Sequence, residues 1–143
     1  MAQQASASIA YFQATGFSQT EVETCFYQLN RPIDQKGRPA GVTQGGTITV
    51  ELVSNKDTSP LAEWITDPFK EGDGTIEFYD AVQQQVKTVQ FNNARCIGYS
   101  ERFDRIPNPM TPNRPAMTMT LTISAEKIVI GDAEHNNNWD DKR

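Results

Sequence analysis

The chain has 143 residues, a mass of 16.0 kDa, a formal net charge of −5 and a sequence pI of about 4.8. That is one domain's worth of sequence, 1–143, with an acidic balance that argues against a general nucleic-acid binder. Thr, Gln, Asn and Ser number 41 against 31 charged residues, a surface that ordinary charge-based solubility does not explain.

The N-terminal Met1–Ser8 has neither a basic region nor an apolar one, so it does not read as a Sec signal peptide. No apolar run approaches the roughly 18 residues of a membrane span. The runs Ser8–Ala14 and Thr20–Asn30 carry Ile9, Tyr11, Phe12, Val22, Phe26, Tyr27 and Leu29 and read as strands, the second with apolar residues on both faces. Residues 31–46 form a long segment punctuated by Pro32, Gly37, Pro39, Gly41, Gly45 and Gly46. It exceeds a hairpin turn, and such connections are usually functional or disordered.

Ile48, Val50 and Leu52 then alternate with Thr47, Thr49 and Glu51 as a half-buried strand does. One helix stands out. Ser59 suits the N-cap, Pro60 the first helical position, and Leu61, Trp64 and Ile65 fall at i, i+3 and i+4. Asp67-Pro68 ends it. About eight residues are too few for a helix stable alone, so Leu61, Trp64 and Ile65 are expected to anchor it on the sheets. Lys70-Glu71-Gly72-Asp73-Gly74 reads as a tight turn.

Ile76 and Phe78, then Val89 and Phe91, continue the period-two pattern. It slips around Asn92-Asn93-Ala94, and a slip in parity signals a bulge or corner of the kind that curves a sheet toward a barrel. Residues 106–115 hold Pro107, Pro109, Pro112 and Pro115, a second long and stiff loop. The cleanest strand sets Met117, Met119, Leu121 and Ile123 against Thr118, Thr120, Thr122 and Ser124, and its parity switches to Ile128 and Ile130. The Asn-rich tail from Asp132 to Arg143 reads on composition as frayed.

Charge is unevenly spread. Residues 31–43 and 102–114 each carry a net +2, and residues 57–80 carry −6. Such clusters are usually solvated surface. The functional alternative is self-complementarity, one copy's basic loop meeting another copy's acidic face.

The chemistry-bearing residues are sparse. His135 is the single histidine, and Asp132 and Glu134 beside it make a weak metal set. Cys25 and Cys96 lack any Cys-x-x-Cys spacing; they read as buried strand thiols in a reducing cytoplasm, with one long-range disulfide as the lesser reading. Neither a nucleophile elbow nor a phosphate loop occurs. Glu21 and Glu23 share one strand face, which suits a solvated strand better than a glycosidase pair. No catalytic, cofactor or metal site is expected, and a structural or binding role follows.

The order of features resembles the Hcp-like tube proteins of type VI secretion systems, the TssD branch of Bacteroidota. The resemblance rests on Gly37-Arg38-Pro39, Gly45-Gly46-Thr47-Ile48, Leu61 to Trp64 followed by Pro68, Gly74-Thr75-Ile76-Glu77-Phe78, Phe91 to Ala94, Phe103-Asp104, Met117 to Ser124 and the closing Gly131 to Trp139. It covers about residues 20–140. The Pro-rich 106–115 loop is longer than the family pattern and the first dozen residues match weakly.

The resemblance implies a mainly β fold: a compact barrel of two antiparallel sheets with one short flanking α-helix and a long extended loop. It implies six-membered rings stacked into a hollow tube, a surrounding contractile sheath, a spike and baseplate, and effector cargo in the lumen. The tube would assemble in the bacterial cytoplasm and then be ejected. The family's inter-ring loop falls on residues 31–44, with Arg31, Asp34, Lys36, Gly37, Arg38 and Pro39 as candidate contacts. Their expected acidic partner surface is Asp57, Glu63, Asp67, Glu71 and Asp73. A related phage-tail-like extracellular particle is the near alternative. A monomeric β-sandwich that binds carbohydrate through Tyr11, Tyr79, Tyr99 and Trp139 is the distant one.

Overall fold

Alternation of Thr with apolar residues makes Met117–Ile130 a strand with one face inward: Met119, Leu121, Ile123 and Ala125 are buried. After Ala125 the parity changes, and Ile128 is the next buried apolar residue. The computed structural model describes residues 8–54 and 59–139, and this strand is the spine of its fold. In chain order the elements are β1 (Ile9–Ala14), β2 (Phe17–Asn30), β3 (Gln44–Val53), α1 (Ser59–Thr66), β4 (Gly72–Tyr79), β5 (Gln85–Phe103), β6 (Met117–Ile130) and β7 (Ala133–Asn136).

All pairings are antiparallel, in the order β3-β2-β1-β4-β5-β6-β7, and a further β3–β6 pairing closes the ring of strands into a barrel. Three strands are long, and each serves two sheets. β2 pairs with β1 over 17–21 and with β3 over 22–30. β5 pairs with β4 only as far as Ala94. β6 pairs with β3 over Thr118–Ser124 and with β7 over Lys127–Ile130. The two parity slips of the sequence lie at these crossings. Asn93 takes φ 53°, and the buried positions of β5 step from Val89 and Phe91 to Ala94 and Cys96. A bulge there turns the strand from one sheet to the other while keeping apolar residues inside.

The two sheets enclose one core. Phe12 and Phe91 are fully buried and stack at 5.7 Å, and Trp64 also stacks on Phe91 at 6.5 Å. α1 thus docks as its spacing predicts, with Leu61 and Trp64 buried and Ile65 packed against the core. The Trp64 Nε1–H donates to the Lys70 and Ala94 carbonyls at 3.0 and 3.1 Å. The Ser59 side chain, expected as the N-cap, lies outside the described atoms.

Two expectations need correction. Gly72-Asp73-Gly74 is not a turn but the start of β4. Its glycines answer to packing: a Cβ on Gly74 would meet the Gln13 carbonyl at 2.1 Å and Phe91 Cζ at 2.5 Å. The tail is not frayed as far as Trp139. β7 pairs with β6, and the Trp139 N–H donates to Glu126 Oε2 at 2.7 Å. Composition alone could not show that a buried carboxylate waits for that backbone.

Candidate assembly surfaces

The loop between β2 and β3 is a small ordered hairpin. Ile33 bridges Pro39. Asp34 organises its tip: Oδ1 accepts from the Lys36 and Arg38 backbone N–H groups, both at 2.9 Å, and Oδ2 pairs with Arg38 Nε at 2.8 Å. These donors hold the Asp34 carboxyl below the usual carboxylate range, the Arg38 backbone bond being the largest cause. Gly37 sits at φ 80° in the tip, a conformation that glycine adopts without strain. Arg31 donates to Thr43 Oγ1 at 3.1 Å across the root. Ile33 and Val42 are exposed.

The expected acidic partner surface is spent largely within the chain. Glu63 pairs with Lys70 and Glu71 with Arg95, each at 3.7 Å. Asp67 Oδ1 accepts the Phe69 N–H at 3.0 Å, and Asp73 Oδ1 accepts the Asn93 N–H at 2.8 Å, which fixes the β5 corner. Asp57 lies outside the described residues. The charge run is visible in the sequence, but the partners of Glu71 and Asp73 are not, because both lie on β5 and are brought there by the β4–β5 register.

The tail contributes residues that the sequence did not single out. Arg95 lies 4.8 Å from the Trp139 ring and 5.7 Å from the Phe69 ring, a cation held between two aromatic faces. Glu126, nearly buried, accepts Asn93 Nδ2 at 3.1 Å as well as the Trp139 N–H. Asn137 reaches back to the root of the 31–43 loop: its Nδ2 donates to the Gly45 carbonyl at 2.8 Å and the Ala125 carbonyl at 3.1 Å. His135 Nε2 lies 2.8 Å from Asn137 Oδ1. That contact makes Nε2 the protonated nitrogen and gives the lone histidine an orienting role. Among the described residues no three His, Cys, Asp or Glu side chains are placed to hold a metal ion.

The four carbohydrate candidates do not form one groove. Tyr11 and Tyr79 meet edge to face at 6.0 Å. Tyr99 packs toward the core and Trp139 covers Arg95. Cys25 and Cys96 are both free thiols in strands, Cys96 buried and Cys25 half-buried, and burial pushes the Cys25 thiol up to about 11.

The second sheet, made of β2 22–30, β3, β6 118–124 and β5 95–103, has the most distinctive surface. Transverse rows read Gln28–Thr47–Ser124–Arg95, Phe26–Thr49–Thr122–Gly98 and Thr24–Glu51–Thr120–Ser100. These residues alternate with the buried set, so they form the outward face. The two charged residues of these rows pair within the chain: Arg95 with Glu71, and Glu51 with Arg114, with Thr118 Oγ1 also donating to Glu51 at 2.9 Å. The rest of these rows is hydroxyl and amide apart from Phe26 and Gly98. Among the described residues, β2 beyond residue 21 and β5 beyond residue 94 pair on one side only, so each leaves a free edge.

The family model described as TssD, hemolysin coregulated protein Hcp, matches residues 6–140. Hcp1 from Flavobacterium johnsoniae is 32% identical, covers 90% of this chain and 99% of its own, and superposes with a TM-score of 0.78. Hcp1 from Salmonella typhimurium is 10% identical over 85% of this chain and 84% of its own, with a TM-score of 0.66. Hcp3 from Pseudomonas aeruginosa is 14% identical over 96% and 99%, with a TM-score of 0.59. The last two likenesses speak for the fold alone. A search of curated proteins returns no match. With the family model spanning nearly the whole chain and a Bacteroidota-type relative at this identity, the chain belongs to the Hcp (TssD) family, the structural tube proteins of type VI secretion.

Proposed function

We propose that six copies of this chain close into a ring, and that rings stack into the hollow inner tube that a contractile sheath drives outward behind a spike, with effector cargo in the lumen. One observation carries the reading. Among the described residues, the second sheet ends in two free edges that run antiparallel to each other, β2 in one direction and β5 in the other. Edges of that kind are templates for strand pairing. Copies placed side by side would continue the sheet, and a heterologous contact that closes gives a ring. The outward face of that sheet, rich in Thr and with Glu51 and Arg95 paired within the chain, then lines the channel. Such a wall presents mostly hydroxyl and amide groups to passing cargo. Electron microscopy and light scattering of the purified chain test this: rings or tubes are expected, and a 16 kDa monomer at all concentrations overturns it.

Stacking follows as the second part of the same reading. The 31–43 hairpin of one ring meets the acidic α1–β4 segment of the next, with Lys36 as its exposed cation and Glu63 of α1 and Asp67 just after it as the carboxylates. Ordering by Asp34 supports it, because a preformed hairpin loses less entropy on docking. Reversal of Lys36 and Arg38 to Glu is expected to abolish tubes at low salt while leaving rings. Unchanged stacking refutes the loop assignment. The tube is assembled in the bacterial cytoplasm before ejection, which fractionation before and after sheath contraction tests.

A further inference from the structure

Among the described residues, the middle of the second sheet's outward face carries two large apolar side chains that stand well exposed. Phe26 on β2 is 64% exposed and Ile97 on β5 is 58% exposed. Isolated exposed apolar residues are normal, but these two are related by the sheet. Phe26 pairs with Thr49, Thr49 with Thr122, and Thr122 with Gly98. The register of β5 shifts between Cys96 and Gly98, so Ile97 is the extra residue of a bulge in that same transverse row. Cys96 points inward, which turns Ile97 outward by alternation. A Cβ on Gly98 would lie 3.2 Å from Thr122 Cβ, so Gly98 packs closely on Thr122 and sets no side chain beside Ile97. The row therefore has an aromatic knob at one free edge and an aliphatic side chain next to a bare glycine at the other.

We propose that these two positions form an apolar clasp between copies of this chain, Phe26 of one copy seated against Ile97 and Gly98 of its neighbour. The occupant is a second copy because the two edges fit each other. They run antiparallel, they present the apolar residues at the same height of the sheet, and Thr, Gln and Ser surround both positions. The contact is heterologous, each copy giving its β2 edge to one neighbour and its β5 edge to the other, so it propagates and closes rather than stopping at a dimer. A central apolar anchor in a polar surround is the usual form of an interface hot spot. The bulge at Ile97 has the further effect of making the β5 edge irregular for any strand that does not bring an apolar side chain to that point. This inference rests on the edge-to-edge ring and gives it a registering contact.

The experiment uses the full chain with Phe26→Asp and Ile97→Asp made separately. Both residues are exposed, so both variants are expected to melt within a few degrees of the parent. Should either melt early, Phe26→Asn and Ile97→Asn repeat the test without a new charge. Light scattering is expected to find each variant weakened in assembly by roughly tenfold to a hundredfold, as loss of an interface anchor predicts. Mixing the two variants is expected to yield a pair of about twice the 16.0 kDa chain mass and nothing larger. The Phe26→Asp chain keeps an intact β5 edge, the Ile97→Asp chain keeps an intact β2 edge, and the two remaining edges both carry Asp. A mixture that stays monomeric, or either variant forming rings as the parent does, overturns the clasp alone. A parent chain that is monomeric overturns the ring and the clasp together. Open chains in place of rings, still lost in both variants, support the clasp and overturn the closed ring.

Discussion

The side-chain amide of Asn137 donates to the Gly45 carbonyl at 2.8 Å and so ties the C-terminal tail to the root of the 31–43 loop. The site has little slack. Gly46 lies at φ 98°, and a Cβ there would meet the Ala125 carbonyl at 2.7 Å and Asn137 Nδ2 at 3.4 Å. Asn137→Asp keeps the shape, removes both donors and sets a charge against two carbonyls. The expected cost is about 1–3 kcal/mol, read as a lower urea midpoint. Trypsin is expected to cut after Lys36 faster in this variant below its melting range. Val50→Ala, a core change far from the root, serves as the control for general destabilisation.

Asp34 makes a separate prediction about the tip of the same loop. Its carboxyl titrates below the usual range because the charged form accepts backbone and guanidinium donors. A lowered folded value means that the hairpin gains from ionisation above the unfolded value and loses it as pH falls through the folded one. Asp34→Asn is therefore expected to raise tryptic cleavage after Lys36 at neutral pH. In the parent, hydrogen exchange at the Lys36 and Arg38 amides, corrected for intrinsic rates, should rise only when pH drops below about 4. Protection unchanged in Asp34→Asn would contradict the clamp.

Gly74 distinguishes close packing from turn chemistry. A turn glycine at this place would tolerate alanine. A strand glycine with the Gln13 carbonyl 2.1 Å from the position of its missing Cβ would not. Gly74→Ala is expected to cost about 1–3 kcal/mol through overpacking and to displace Phe91 or β1. Calorimetry measures the first effect, and amide shifts around Gln13 and Phe91 report the second.

Much of the barrel was legible in the alternation because each strand has one buried face, and burial writes itself into the sequence with a period of two. The corners at Asn93 and after Ala125 were legible for the same reason, as breaks in that period. What the pattern could not carry is pairing between distant segments. Glu71 and Asp73 look like part of a free acidic face until Arg95 and the Asn93 N–H are brought beside them. Glu126 looks like an exposed strand residue until the tail closes over it. Phe26 and Ile97 lie far apart in sequence, and only the register of four strands puts them in one row. The family resemblance pointed to the closing Gly131–Trp139 block, and the structure supplies its physical reason in Asn137 and Trp139.

Trp64 combines two roles that substitution can separate. Its ring stacks on Phe91, and its Nε1–H serves the Lys70 and Ala94 carbonyls. Trp64→Phe keeps an aromatic ring and removes the donor, so about 1–3 kcal/mol is expected. Trp64→Ala also opens a cavity at the helix contact, and about 3–5 kcal/mol is expected. If the two variants melted together, the hydrogen bonds would carry the whole contribution and the stacking none.

Cys25 gives the alkaline counterpart of Asp34. Burial raises its thiol from 9.0 to about 11, so the folded chain holds that proton more tightly than the unfolded one. Stability from this group is full below pH 9 and is lost as pH rises from 9 toward 11. Tyr27, raised by burial and by the neighbouring Cys25, acts in the same direction. Cys25→Ala is therefore expected to flatten part of the alkaline fall in urea midpoint between pH 9 and 11 while leaving the midpoint at pH 7 governed by packing alone. Thiol alkylation of the parent at pH 8 is expected to run slower than for a free cysteine, because the thiolate is the nucleophile. An alkylation rate equal to that of a free thiol at pH 8 would place Cys25 in water rather than against the core.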